Sequence, residues 1–125
     1  MNLPANHQTI MPYLILNGAS KFIEFTQRVF DSEKTSTEVL REDGTIMHAE
    51  IIINGSTIMV TDQTKDWSEQ TSNLFVYVPN ADKTYQKALD NGAISLMGLS
   101  TQDYGRTCGV TDPCGNVWWI TSVVE

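Results

Sequence analysis

The sequence predicts an α+β fold in which one order of secondary structure occurs twice. Three observations predict it: a strand-like segment and an amphipathic helix open each half of the chain, three strand-like segments follow each helix, and a polar stretch separates the halves. A chain of 125 residues fits one compact domain. We therefore expect a single domain of two β-α-β-β-β modules, at about residues 9–62 and 73–124, with a linker at 63–72.

The first module begins with an apolar, β-prone segment at residues 9–17 and continues with a helix at residues 19–30. Apolar side chains recur at helical spacing from Phe22 to Phe30, so this helix has one apolar stripe. Three strand-like segments follow, at residues 35–42, 45–54 and 56–62. The dipeptide Asn54-Gly55 between the last two is typical of a two-residue hairpin turn.

The second module repeats this order with a strand at residues 73–80 and a helix at residues 81–91. Gly92 follows the helix and suits the left-handed conformation of a helix end. Three strand-like segments follow, at residues 93–100, 106–113 and 116–124. In the linker, Trp67 is an unexpected apolar residue, which either folds back onto the body or forms a lid over a pocket.

Alternation along the predicted strands indicates that each sheet has an aliphatic face and a mixed face. In the strand that carries His48, the aliphatic face is predicted to hold Met47, Ala49, Ile51 and Ile53. His48 and Glu50 fall on the mixed face. Near the end of the chain, Trp118 falls on the aliphatic face and is expected to pack under the helices, whereas Trp119 falls on the mixed face. Mostly apolar walls with a few polar groups are typical of a ligand cavity.

The composition excludes several classes of partner. The net charge is −7, and such a surface repels phosphate backbones and anionic lipids, so neither nucleic acid nor membrane is an expected partner. No apolar segment approaches the roughly 20 residues of a membrane-spanning helix, and the first residues lack the features of a signal peptide, so we expect a cytoplasmic protein. Cys108 and Cys114 are expected to be free thiols. A redox pair or a catalytic thiol would need an activating base nearby, and the local sequence offers none.

Three segments resemble a known family: "PYLILNGASKFIEFTQRVF", "DGTIMHAEIIINGSTIMVTD" and "YGRTCGVTDPCGNVWWI". They are similar to the opening strand and helix, the His-bearing strand with its hairpin, and the late Trp signature of the vicinal oxygen chelate superfamily. This superfamily includes glyoxalase I, bleomycin-resistance proteins and extradiol dioxygenases, and the likeness is to its PhnB-like branch. The resemblance implies a curved, partly open, eight-stranded barrel-like sheet around a central cavity, with the helices outside, and a homodimer.

The resemblance also implies where a divalent metal would bind. Carried over by position, the four ligand slots of the metal-dependent members fall on Met11, Met59, Asn73 and Trp119. Only Asn73 can offer an oxygen, since an indole has only an N–H donor and a thioether is a poor ligand for hard or borderline cations. We therefore predict no standard metal site and no cofactor, and a divalent metal could bind only through a non-standard site.

These observations predict metal-independent binding of a small hydrophobic or aromatic organic molecule in the cavity. The candidate ligand-binding residues are Tyr13, Met59, Asn73, Phe75, Tyr77, Arg106 and Trp119. The aromatic residues would supply flat walls for stacking, or they could simply fill the core. Arg106 could hold an anionic group of the ligand or pair with a carboxylate, and the alternation does not decide which face it occupies.

The alternative prediction is an enzyme of the lyase, isomerase or dioxygenase type that uses His48 and Glu50. These residues lie two apart on one strand, so they share a face. They could act as a general base with an orienting carboxylate, as ligands of a relocated metal, or as a buried polar pair that orients a ligand. A structural dimer with a filled cavity is a third possibility. His7 lies ahead of the first strand and receives no role.

Overall fold

The computed structural model describes residues 1–124 of the chain. The first module contains β1 (Tyr13–Leu16), α1 (Ala19–Phe30), β2 (Glu33–Leu40), β3 (Ile46–Ile53) and β4 (Ser56–Asp62). The second contains β5 (Asn73–Tyr77), α2 (Ala81–Asp90), β6 (Ile94–Gln102), β7 (Gly105–Thr111) and β8 (Val117–Ser122). The predicted order β-α-β-β-β is therefore confirmed for each half, and the fold is α+β.

The strands form two four-stranded sheets, with the orders β1-β4-β3-β2 and β5-β8-β7-β6. In each sheet the first strand runs parallel to the last, and the other neighbours are antiparallel. Among the described residues no strand pair joins one sheet to the other, so the predicted eight-stranded barrel-like sheet is replaced by two separate sheets. Each sheet keeps its own two edge strands, and neither a closed barrel nor a central cavity is confirmed.

Helix α1 is anchored at its first residue by a carboxylate from the neighbouring sheet. Gly18 precedes the helix with φ +94° and offers no side chain as a cap. Asp62, at the end of β4, accepts the Ala19 N–H at 2.7 Å and the Ile46 N–H at 2.7 Å. One carboxylate thus satisfies an otherwise unpaired amide of the helix and joins α1 to β3 and β4.

The core of the domain is built around Trp118, as its parity predicts. The Trp118 side chain is buried, and its ring packs against Phe30 and Phe22 of α1 at centroid distances of 4.6 and 6.0 Å. Because Trp118 lies on β8 and both phenylalanines lie on α1, this packing joins the second module to the first.

The aliphatic face predicted for β3 is correct except at Met47. Ala49, Ile51 and Ile53 are buried, but Met47 is 44% exposed. The register changes at this point, because Val39 pairs with His48 whereas Leu40 pairs with Ile46, and Met47 is the extra residue of a β-bulge. The bulge moves Ile46 into the buried position and places Met47 outside.

The turn before β8 is organised by the buried carboxylate of Asp112. It accepts the backbone N–H of Cys114 at 2.8 Å, that of Asn116 at 2.9 Å and the Trp118 indole N–H at 2.8 Å. The same group therefore shapes the turn and fixes the orientation of the central tryptophan. Within residues 1–124, no helix is both long and apolar enough to span a bilayer.

Replacing Asp112 by Ala is expected to lower the free energy of unfolding by about 3 kcal/mol or more, because it leaves several buried N–H groups without an acceptor. The measurement is urea unfolding. The control variant Asp103→Ala, in an exposed turn, should change stability by less than about 0.5 kcal/mol. Equal stability of the two variants would contradict this account of the turn.

Candidate functional site

Each sheet has one face whose side chains point away from the helix-packed core, and we call it the open face. On the first sheet the open face carries Tyr13, which pairs with Met59. On the second sheet it carries Phe75, which pairs with Trp119 at the equivalent position. Phe75 is 52% exposed and the neighbouring Tyr77 is 62% exposed. The predicted aromatic walls therefore lie on an accessible surface of the chain.

Trp119 lies flat across strand β7 and is held there on two sides. Its indole N–H donates to the Asn73 side-chain oxygen at 3.1 Å. Gly109 pairs with Trp119 on the adjacent strand, and a Cβ at Gly109 would lie 2.6 Å from the ring. Only glycine leaves room for the indole in this position, so the orientation of the ring is fixed by Asn73 and Gly109 together.

Three further rings extend this surface. Phe75 and Tyr77 pack edge to face at a centroid distance of 5.2 Å, and Tyr104 lies 6.3 Å from Phe75. We call Phe75, Tyr77, Tyr104 and Trp119 the aromatic surface. Beside it, between β5 and the β3–β4 hairpin, lies a cavity of about 380 Å³ whose lining includes Phe75, Tyr77, Ile58 and Pro12. This volume is in the range of small-molecule sites.

The four metal slots implied by the resemblance do not fit a divalent ion. Asn73 carries the one suitable oxygen, and that oxygen accepts the indole N–H of Trp119. Met59 lies on the first sheet, and Met11 precedes β1. Within the described part of the chain, no three His, Cys, Asp or Glu side chains are placed to hold a metal ion.

His48 and Glu50 are in contact, as their spacing on β3 predicts, but a third residue joins them. The His48 Nε2 atom lies 2.8 Å from one oxygen of Glu50, and the His7 Nε2 atom lies 3.0 Å from the other. His7 belongs to the segment before β1, and this segment is attached to β4 because the Gln8 side chain donates to the Thr57 carbonyl at 2.9 Å. No local pattern marks His7, since its partner is 43 residues away.

The Glu50 carboxylate is buried between the two imidazoles. Burial alone raises its pKa, but hydrogen bonds from His48 and His7 outweigh this and hold the pKa below its ordinary value of 4.5. An ionised carboxylate can only accept hydrogen bonds, so each Nε2 carries a proton in this arrangement. The nitrogen of His48 that remains able to accept a proton is therefore Nδ1.

Arg106 does not lie with the other candidate ligand-binding residues. It has the parity of the buried Cys108 and Val110, so it occupies the helix-bearing face of the second sheet. There its Nε and Nη2 atoms donate to the carboxylate of Asp82, in the first turn of α2, at 2.9 and 3.3 Å. The ion pair, rather than a ligand, accounts for its position.

Trp67 lies over the open face of the first sheet, outside the hydrophobic core. Its side chain is 68% exposed. A short turn holds it, in which Thr64 N–H donates to the Trp67 carbonyl at 2.9 Å and the Trp67 N–H donates to the Thr64 hydroxyl at 3.1 Å. With Tyr13 and Met47 it lines a groove on this face.

Both cysteines are buried free thiols, as expected. Burial raises the pKa of the Cys108 thiol to about 11 and that of the Cys114 thiol to about 11. The two side chains are therefore protonated at neutral pH, which is the opposite of the condition that a nucleophilic cysteine needs.

Comparison with known proteins identifies the family. The chain belongs to the Glyoxalase/Bleomycin resistance protein/Dioxygenase superfamily, which it matches over residues 7–120. Its curated relatives include Mb0911c, an uncharacterized protein of Mycobacterium bovis, which is 29% identical over 128 residues; the alignment covers 93% of this chain and 84% of the relative.

Two solved structures illustrate the fold that the chain shares. The PhnB protein of Bacillus cereus, described as a putative 3-demethylubiquinone-9 3-methyltransferase, is 21% identical with a TM-score of 0.72, covering 93% of this chain and 100% of its own. TnmS3, an antibiotic binding protein from a Streptomyces species, is 14% identical with a TM-score of 0.72, covering 94% and 100%. At these identities the likeness concerns the fold alone.

Replacing Glu50 by Gln is expected to flatten the fall in stability at acid pH. Folding lowers the pKa of Glu50, so its contribution to stability is present above pH 4.5 and is lost as the pH falls through the folded-state pKa. The measurement is the free energy of unfolding in urea from about pH 7 to about pH 3. The exposed Glu42→Gln variant should keep the wild-type slope, and an unchanged slope in Glu50→Gln would contradict the arrangement.

The native protein is expected to resist thiol reagents. With pKa values of about 11, about one thiol in a thousand is ionised at about pH 8, and both side chains are also buried. Titration with an aromatic disulfide reagent should therefore modify both cysteines rapidly in denaturant and only slowly without it. Rapid modification of the folded protein would show that one of the thiols is accessible and activated.

Proposed function

We propose that this protein binds a small hydrophobic or aromatic organic molecule without a metal ion. The observation that carries the proposal is the aromatic surface, because Phe75, Tyr77 and Tyr104 are each more than half exposed, and exposed rings cost free energy in water unless something covers them. The neighbouring cavity of about 380 Å³ would take the body of the ligand. That TnmS3, which shares the fold, is an antibiotic binding protein supports the same reading.

Metal independence is supported by the donor set. A divalent ion in a protein needs three or four ligands with good geometry. At the four slots of the family this chain offers two thioethers, one indole and one amide, and the amide and indole bind each other. We propose that these positions now serve the ligand through apolar contact and stacking.

We propose further that the protein is a cytoplasmic homodimer of the PhnB-like branch. A second copy would protect edge strands such as β2 and β6 from non-specific pairing. The branch assignment is supported by the Bacillus cereus PhnB protein as a structural neighbour. Light scattering of the purified protein tests the dimer.

An enzyme that uses His48 and Glu50 is the second candidate function. The contact of 2.8 Å between them favours it, because a carboxylate on one ring nitrogen orients the other nitrogen as a base. Two observations favour binding over this alternative. The aromatic surface suits a ligand, and the contact between His7 and Glu50 gives the pair of His48 and Glu50 a structural role, which is to hold the segment before β1 in place.

Binding of an uncharged aromatic probe, 2-naphthalenemethanol, tests the main proposal by calorimetric titration. Phe75→Ala and Trp119→Ala are each expected to weaken binding of the probe about tenfold, because each substitution removes a stacking surface. Leu96→Ala, an exposed apolar position on β6, is the matched control and should bind as the wild type does.

Two results would contradict the proposal: unchanged binding in both aromatic variants, or loss of binding after a chelator with recovery on adding a divalent metal. Elemental analysis of the purified protein accompanies the titration, and near-stoichiometric metal would also count against the proposal.

A further inference from the structure

The open face of the first sheet carries a groove of about 570 Å³ that is separate from the aromatic surface. Its apolar wall is formed by Trp67, Tyr13, Met47 and Ile15. Its polar lining consists of Arg41, Thr61, Asp62 and Thr64. The linker supplies Trp67, and the β-bulge of β3 turns Met47 toward it. The groove therefore combines a stacking surface with one cation, Arg41, and one acid, Asp62, whose two carboxylate oxygens both accept backbone N–H groups.

Arg41 is held in place by neutral oxygen atoms. Its Nη1 atom donates to the Thr45 hydroxyl at 3.2 Å, the Ile46 carbonyl at 3.2 Å and the Asp62 carbonyl at 3.3 Å. Its Nη2 atom donates to the Thr61 hydroxyl at 3.2 Å. Within residues 1–124, Nε has no acceptor, and Nη2 has one acceptor for its two hydrogens. One edge of the guanidinium is thus left to donate.

The other two arginines differ from Arg41 in having carboxylate partners. Arg28 pairs with Glu24, and Arg106 pairs with Asp82. No carboxylate of the described residues comes within 4.0 Å of a nitrogen of Arg41. The positive charge of Arg41 is therefore positioned by the fold but is not neutralised by a direct ion pair.

The acids nearest to Arg41 are committed elsewhere. Asp62 uses both carboxylate oxygens on backbone amides, those of Ala19 and Ile46. Asp43 is reached only through Thr45, whose hydroxyl donates to the Asp43 carboxylate at 2.6 Å. Thr45 thus connects Arg41 to Asp43 through two hydrogen bonds, and the guanidinium and the carboxylate form no direct ion pair. An anion entering the groove would find the guanidinium edge available.

We propose that this groove binds a planar aromatic monocarboxylate. The ring stacks on Trp67 beside Met47, and the carboxylate accepts hydrogen bonds from Nε and Nη2 of Arg41. A guanidinium edge matches the two oxygens of a carboxylate, and tryptophan provides a large flat surface for a ring. This second site goes beyond the proposed function, because it uses neither Phe75 nor Trp119.

The charge of the whole protein narrows the class of ligand. A net charge of −7 repels multivalent anions, so a single carboxylate meets the least opposition on its way to Arg41. The matching alcohol offers one neutral hydroxyl oxygen, which accepts a weaker hydrogen bond from the guanidinium edge than the two charged oxygens of a carboxylate do. The groove should therefore prefer the acid to the matching alcohol.

The test compares 2-naphthoate with 2-naphthalenemethanol by calorimetric titration. We expect the wild-type protein to bind an additional equivalent of naphthoate, at this groove, at least about tenfold more tightly than the groove binds the alcohol. Trp67→Ala should weaken this binding about fivefold or more. Naphthoate binding should also weaken as salt rises from about 0.05 M to about 0.5 M.

Three variants isolate the guanidinium. Arg41→Gln should abolish the preference for the acid over the alcohol, and Arg41→Lys should restore only part of it, because lysine keeps the charge but not the two-donor edge. Arg28→Gln removes a cation of equal charge outside the groove and should leave the preference unchanged. Because Arg41 also ties β2 to β3 and β4, thermal unfolding checks each variant, and the exposed Trp67→Ala decides the question if Arg41→Gln does not fold.

The outcomes separate this site from the aromatic surface. The inference is overturned if acid and alcohol bind alike, if folded Arg41→Gln keeps the preference, or if Trp67→Ala has no effect. The inference is also overturned if Phe75→Ala removes naphthoate binding while Trp67→Ala retains it. That result would place the naphthoate on the aromatic surface and would support the proposed function. Conversely, loss of naphthoate binding in Trp67→Ala, together with undiminished alcohol binding in both Phe75→Ala and Trp119→Ala, would support the groove and count against the aromatic surface.

Discussion

The packing of Trp118 against α1 is the contact on which the arrangement of the domain depends. The indole is buried against Phe22 and Phe30, and its N–H is satisfied by the buried carboxylate of Asp112. Strand β8 belongs to the second module and α1 belongs to the first. Burial of the Trp118 side chain therefore packs the two modules against each other. Because the helices and aliphatic faces meet in this core, the other face of each sheet is turned outward.

The two open faces have the same backbone geometry but different chemistry. The pair Tyr13 and Met59 on the first sheet corresponds to Phe75 and Trp119 on the second. The first face is largely polar at its centre, where Glu50 binds two imidazoles, and it has a lone guanidinium at one end. The second face is aromatic. A repeated module can therefore serve two kinds of contact, because side chains rather than strand order decide what each sheet presents.

Two of the four positions that correspond to the family's metal slots, Asn73 and Trp119, form an organised surface on the second sheet. Asn73 and Trp119 satisfy each other, and Gly109 gives the indole room to lie flat. A ring held on both sides loses little conformational freedom when a ligand stacks on it, and that pre-organisation favours binding. On the first sheet, the segment before β1 brings His7 to Glu50, so two imidazoles contact one buried carboxylate.

The sequence by itself determined the order of elements, the bounds of α1, the hairpin at Asn54-Gly55 and the opposite faces of Trp118 and Trp119, because each follows from local periodicity or turn chemistry. It did not determine the bulge at Met47, the partner of His7, the face of Arg106 or the neutral cage around Arg41. These features depend on which strand or segment lies opposite each residue, and the local sequence around a residue does not specify its partners far along the chain. Tertiary structure also decided that eight strands form two sheets rather than one, since closure depends on how edge strands meet in space.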